Sequence, residues 1–76
     1  MAIIRSFGGD FSNEEVFDWL DRVIEDNGHL AARRIRVSNS LYTRGIAGEY
    51  KDIPIAMNPD WYPEDKVEVL FDGDTL

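Results

Sequence analysis

Glu14, Asp18, Asp21 and Glu25 recur at intervals of four, three and four residues within SNEEVFDWLDRVIED, Ser12 to Asp26. Carboxylates so spaced can do three kinds of chemistry. Two that face a cleft can act as the acid and base of a hydrolase. A convergent set can hold a hard cation. A row on one face can occupy a basic site built for phosphates, because a nucleic-acid strand is itself a line of closely spaced negative charge. Other chemistries lack their parts. There is no cysteine, and the single histidine, His29, sits beside the helix-stopping pair Asn27-Gly28, so an activated nucleophile has almost no base to work with.

The first two options find little support in spacing. EDNGH and FDGDT share residues with calcium loops, but the D-x-[DN]-x-[DN]-G pattern and its later glutamate are missing. Both read better as turns. RGIAGEYK lacks the glycine spacing and the G-K-[ST] ending of a phosphate loop. A carboxylate hydrolase needs a cleft, and 76 residues in two layers leave little room for one. The expectation is a non-enzymatic protein without metal or cofactor; a small carboxylate-dependent enzyme or enzyme subunit is one alternative.

The helix that carries the row is marked at both ends. Ser12 is an N-cap residue and Glu15, three further on, completes a capping box. Phe11 and Val16 suit a hydrophobic staple. Glu14 and Glu15 favour the positive end of the helix dipole. Asn27-Gly28 stops the helix, with Gly28 suited to a left-handed backbone. Val16, Phe17, Trp19, Leu20, Val23 and Ile24 form one apolar arc, with Glu14, Asp18, Asp21 and Glu25 opposite. Arg22 has Asp18 and Asp26 at i−4 and i+4, which stabilises a helix; Glu14–Asp18 and Asp21–Glu25 are like-charge pairs at i,i+4, which destabilise one. Capping and pairing leave Asp21 and Glu25 unexplained.

The remaining chain reads as strands. MAIIRSF precedes a Gly-Gly-Asp turn. AARRIRVS alternates, with Ile35 and Val37 on one face and Arg34 and Arg36 on the other. SLYTRGI and YKDIPIAM are expected to form a hairpin about Ala47-Gly48-Glu49. Pro54 suggests an edge strand. NPDWYPED is a loop. KVEVLF turns Val67, Val69 and Phe71 inward and Lys66, Glu68 and Leu70 outward, and Asp72-Gly73-Asp74 ends it. The expected fold class is α+β: one domain over 1–76, with a helix at about 12–27 on a mostly antiparallel four- or five-stranded sheet, in the order β-α-β-β-β-β.

Charge is unevenly distributed along the chain. Residues 10–26 hold seven acids and one arginine, 27–59 five bases and two acids, and 60–76 six acids and one lysine, for a net charge of −7. Such blocks give a negative surface that attracts a basic partner. The basic middle, Arg33, Arg34 and Arg36 with Arg44, raises direct nucleic-acid binding, but a pI near 4.4 argues against it. Those arginines are expected to pair with the chain's own acids. Trp61 and Tyr62, between Pro59 and Pro63, can cover the core or anchor a partner. A cysteine-free small chain suits a reducing cytoplasm, and no signal peptide or membrane span is expected.

YPEDKVEVLFDG resembles the second half of swapped-hairpin antitoxins and transition-state regulators, over the stretch Glu64–Gly73. The long N-terminal helix departs from that family's pattern, and its function is not carried over. The expected function is a small acidic inhibitor or modulator, of the kind phages direct against host defences. It would engage a basic surface of a nucleic-acid-handling protein through Glu14, Asp18, Asp21 and Glu25, with Asp60, Trp61, Tyr62, Glu64 and Asp65. The opposed alternative is a dimeric DNA-binding regulator or antitoxin using Arg33, Arg34, Arg36 and Arg44.

Overall fold

The computed structural model describes residues 1–62 and 64–72. Pro63 and the Gly73-Asp74 part of the expected final turn lie outside the described residues. Strand β1 (Ala2–Ser6) leads into helix α1 (Asn13–Asp26), then β2 (Ala31–Ser38), a short helix α2 (Asn39–Thr43), the hairpin β3 (Gly48–Tyr50) and β4 (Ile53–Asn58), a 3-10 turn (Pro59–Trp61) and β5 (Lys66–Asp72). The five strands form one mixed sheet in the order β1-β5-β2-β4-β3. β5 runs antiparallel between β1 and β2, β4 runs parallel to β2, and β3 is antiparallel to β4. The α+β class and the β-α-β-β-β-β order hold. Among the described residues no helix is long and apolar enough to cross a membrane.

α1 forms where its caps place it. Ser12 is extended, and its Oγ accepts the Glu15 N–H at 3.2 Å. At the other end Asn27 donates from both its backbone N–H and its Nδ2 to the Val23 carbonyl, occupying an acceptor the helix would otherwise leave open. Gly28 does not take the expected left-handed backbone; Asn27 supplies the stop. Val16, Leu20 and Val23 are buried against Ile35 and Val37 of β2, Val67, Val69 and Phe71 of β5, and Ile53 and Ile55 of β4. The alternation expected for β2 and β5 therefore holds on the helix-facing side.

Three local expectations are corrected. SLYTRGI is not a strand. It folds into α2, closed by bonds from Ile46 N–H to the Leu41 carbonyl and from Gly45 N–H to the Tyr42 carbonyl, with Gly45 at φ +103. That pair of bonds is a Schellman ending, and its companion apolar contact is supplied by Leu41 and Ile46, both fully buried. The hairpin turns at Lys51-Asp52, both at positive φ, rather than at Ala47–Glu49. This is the primed two-residue turn that matches strand twist. Finally, β4 is internal rather than an edge. Pro54 is tolerated because the ladder between β2 and β4 begins one residue later, at Ile35–Ile55.

Candidate functional site

α1 buries the Val16–Leu20–Val23 side, so the opposite pole of the helix faces water. Glu14, Asp18 and Glu25 stand at that pole, exposed, with no cation within ion-pair distance among the described residues. Glu15 and Asp26 are exposed on the flank and equally without an ion pair among the described residues. The expected pairing of Arg22 with Asp18 or Asp26 does not form within 4.0 Å. Arg22 instead lines a shallow groove of about 220 Å³ with Arg5, Phe7, Glu15, Asp18 and Trp19, between α1 and β1.

Asp21 departs from the row. It accepts the Tyr50 hydroxyl at 2.5 Å and lies 2.7 Å from the Lys51 ammonium. The hairpin turn brings Lys51 there, and Tyr50 is held by stacking on Phe17 at 5.1 Å between ring centroids. The hydrogen bonds from Lys51 and then Tyr50 lower the Asp21 carboxyl below its ordinary value. Burial, helped by the hydrogen bond to Asp21, pushes the Tyr50 phenol up to about 12. Asp21 thus fastens the helix to the hairpin, which explains one of the two carboxylates that the helix alone could not.

The second acidic block lies elsewhere. Asp65 accepts a short hydrogen bond from the Ser40 hydroxyl, and Glu64 lies 3.4 Å from Lys66. The neighbouring Ser38 Oγ accepts the Lys66 N–H at 3.1 Å, so these groups tie α2 to the start of β5. Asp60 sits in the first turn of the 3-10 segment, its N–H bonded to Asn58. Trp61 is half-buried over the Arg36 guanidinium at 5.6 Å, on the sheet face that α1 does not cover, and Tyr62 is 74% exposed beside it. Glu68, of the same acidic block, also lies on that helix-free face, opposite Arg36.

The arginines are dispersed as well. Arg36 meets Glu68 at 2.5 Å, and Glu68 is only 4% exposed. That bond holds the guanidinium above its ordinary value. Arg33 meets Asp72 at 3.1 Å. Arg44 stacks on the Phe11 ring at 4.2 Å and donates to the Phe11 carbonyl at 2.7 Å, while its own carbonyl accepts Asn13 Nδ2. It braces the end of α2 against the start of α1. Arg44 thus has no acid partner among the described residues, against expectation, and neither has Arg34, which is exposed beside a shallow cavity of about 420 Å³ that Arg33, Leu70 and Phe71 also line.

Sequence reasoning missed the Glu68–Arg36 pair, because alternation placed Glu68 on a wet face. Trp61 lies against Arg36 on that face; the signal available was an aromatic in a proline-rich loop next to a strand carrying an arginine. Among the described residues no group of three or more His, Asp or Glu side chains is set to hold a metal ion. The fold and its charges define a two-layer α+β domain with an acidic helix face unpaired among the described residues and, on the opposite sheet face, the Arg36–Glu68 pair. No protein-family model matches the chain, no curated protein matches its sequence, and no solved structure matches its fold.

Proposed function

We propose that this chain is a non-enzymatic binding module that engages a basic protein surface through the outer face of α1. The observation that supports this reading is the pole formed by Glu14, Asp18 and Glu25, flanked by Glu15 and Asp26, all exposed and without an ion pair among the described residues. The chain has cations enough to neutralise it, but Arg33, Arg36, Lys51 and Lys66 are engaged with Asp72, Glu68, Asp21 and Glu64. A helix rises about 1.5 Å per residue, so Glu14, Asp18 and Glu25 form a rigid line of charge about 16 Å long. A surface adapted to a phosphate backbone accepts such a line, which makes a nucleic-acid-handling protein the fitting partner and a phage anti-defence role its natural setting. Asp21 belongs to the fold rather than to this surface. Of the four arginines of the DNA-binding alternative, Arg34 is the one left without an ion pair or ring contact among the described residues, beside a net charge of −7.

The test is capture of partners by wild type and by Glu14→Gln/Asp18→Asn/Glu25→Gln, with circular dichroism checking both folds. A basic nucleic-acid-handling protein retained by wild type, lost with the triple variant and displaced by added duplex DNA is the expected result. Equal capture by both forms would sink the reading.

A further inference from the structure

The sheet has two edges, and they differ. The β3 edge is three residues long, begins on Gly48 at φ +81 and carries Glu49. Short, charged and irregular edges resist pairing with another chain. The β1 edge has none of these defences. It is five residues long and keeps an unbroken register with β5, from Ala2–Leu70 to Ser6–Lys66. It has no proline or glycine, and its one charge, Arg5, folds over the Phe7 ring at 4.5 Å on the helix side.

Backbone direction fixes what this edge offers. In an antiparallel ladder, alternate residues turn both N–H and C=O toward the neighbour. Phe7 N–H donates to the Asp65 carbonyl at 2.7 Å, and Phe71 N–H donates to the Met1 carbonyl at 2.8 Å. With the register Ile3–Val69 and Arg5–Val67, the odd-numbered residues face β5. The N–H and C=O groups of Ala2, Ile4 and Ser6 therefore point outward, where no described strand meets them.

We propose that a second copy of this chain docks its own β1 here, antiparallel, across a two-fold axis at Ile4, joining both sheets into one. The edge is self-complementary. Ala2 pairs with Ser6 of the second copy, Ile4 with Ile4, and Ser6 with Ala2, so every outward donor finds an outward acceptor. Ile4, 52% exposed on the helix-free face, is covered by its own counterpart. Arg5 falls opposite Ile3 and not opposite Arg5, so no like charges meet directly. Ala2 and Ser6 are small and leave the approach open. A foreign strand would gain the backbone bonds but not the Ile4–Ile4 contact. The axis stands perpendicular to the sheet, so both α1 helices lie on one side and the assembly presents two acidic poles together. The proposal does not depend on what those poles bind.

Sedimentation equilibrium of the full chain from micromolar to millimolar concentration tests it, with Ile4→Pro and two single-cysteine variants. Wild type is expected to reach twice its 8.7 kDa mass. Ile4→Pro removes an outward N–H while sparing the bonds to β5, and is expected to raise the dissociation constant about tenfold or more with an unchanged circular dichroism spectrum. Ile4→Cys is expected to cross-link on oxidation, because opposed residues of a hydrogen-bonded pair lie about 5.5 Å apart at Cα, within disulfide reach. Glu49→Cys, on the other edge, is expected to stay uncross-linked. If Ile4→Pro loses its fold, the cross-linking pair decides. A monomer at every concentration, or cross-linking through Glu49 and not Ile4, overturns the proposal, and so does a dimer as tight in a folded Ile4→Pro as in wild type.

Discussion

On the outer side of α1, Glu14, Asp18 and Glu25 stand in water with no cation within ion-pair distance among the described residues; across the sheet, Glu68 is buried against Arg36, which lies over Trp61. The difference follows from solvation. A carboxylate in water needs no partner, whereas a carboxylate moved out of water is tolerated only with a cation and hydrogen bonds around it. Among the described ion pairs only Arg36 meets a buried acid, Glu68; Arg33, Lys51 and Lys66 meet more exposed ones. Arg22 lines the groove beside α1 without an ion pair among the described residues, so the pole of α1 is a face on which the fold makes no demand. The comparison can be broken at either end.

The buried end should give the largest effect. Arg36→Met leaves Glu68 without its cation and also strips the guanidinium from under Trp61. Breaking such a pair costs about 3 kcal/mol or more. Denaturant unfolding should show a midpoint shift of that size, and Arg36→Met/Glu68→Met should recover most of it, since two apolar side chains can fill the same space. A single-variant loss below about 1 kcal/mol would mean that the pair is as solvated as a surface one.

Between the extremes lies the Asp21–Tyr50 contact, which is part helix face and part fold. Tyr50→Phe should cost about 1 kcal/mol, the worth of an ordinary hydrogen bond. Its pH signature is more specific. The Tyr50 pKa is raised in the folded state from 10.0 to about 12, so the protonated phenol contributes stability that is complete below pH 10 and lost as pH rises toward 12. The Asp21 pKa is lowered from 3.8, so its contribution is present above that value and is lost as pH falls through the depressed folded pKa. Stability measured across both ranges should decline at each end in wild type. Tyr50→Phe should flatten the alkaline decline, and Asp21→Asn should reduce both. An alkaline limb identical in wild type and Tyr50→Phe would remove this contact from the account.

How much of this was legible in the sequence depends on whether the signal was local. α1 was readable because Ser12, its apolar arc and Asn27 all lie within one segment. The inward faces of β2 and β5 were readable because alternation is local too. The segment Ser40–Ile46 carries two competing signals: Leu41 and Ile46 bracket Gly45 at the spacing of a Schellman ending, while its β-branched residues and Tyr42 favour a strand. The hairpin turn was displaced because Lys51-Asp52 is not among the usual pairs for positive φ. The pairing of Asp21 with Tyr50, and of Glu68 with Arg36, joins residues 29 and 32 positions apart. No local pattern encodes such contacts; they follow from which strands become neighbours, and the insertion of β5 between β1 and β2 was not visible in the order of elements.

The exposed end of the comparison should give the smallest effect, with a sign that carries the meaning. Glu14–Asp18 is a like-charge pair one helical turn apart, and such pairs oppose a helix by a few tenths of a kcal/mol. Glu14→Gln relieves it and should raise stability by about that amount, with the gain fading as salt screens the repulsion. The gain is limited because Glu14 also sits in the first turn, where the helix dipole favours its charge. Glu25→Gln has no such offset, since its place in the last turn sets its charge against the negative end of the dipole, so it should give the clearer increase. Asp18→Asn is the internal control: Asp18 shares its groove with Arg5 and Arg22, and losing those attractions should cancel the relief. A face kept for a partner should thus yield a slightly more stable protein that binds less well. If Glu25→Gln instead lowers stability, that carboxylate serves the fold after all, and the contrast between the wet pole of α1 and the buried pair across the sheet no longer points to a binding surface.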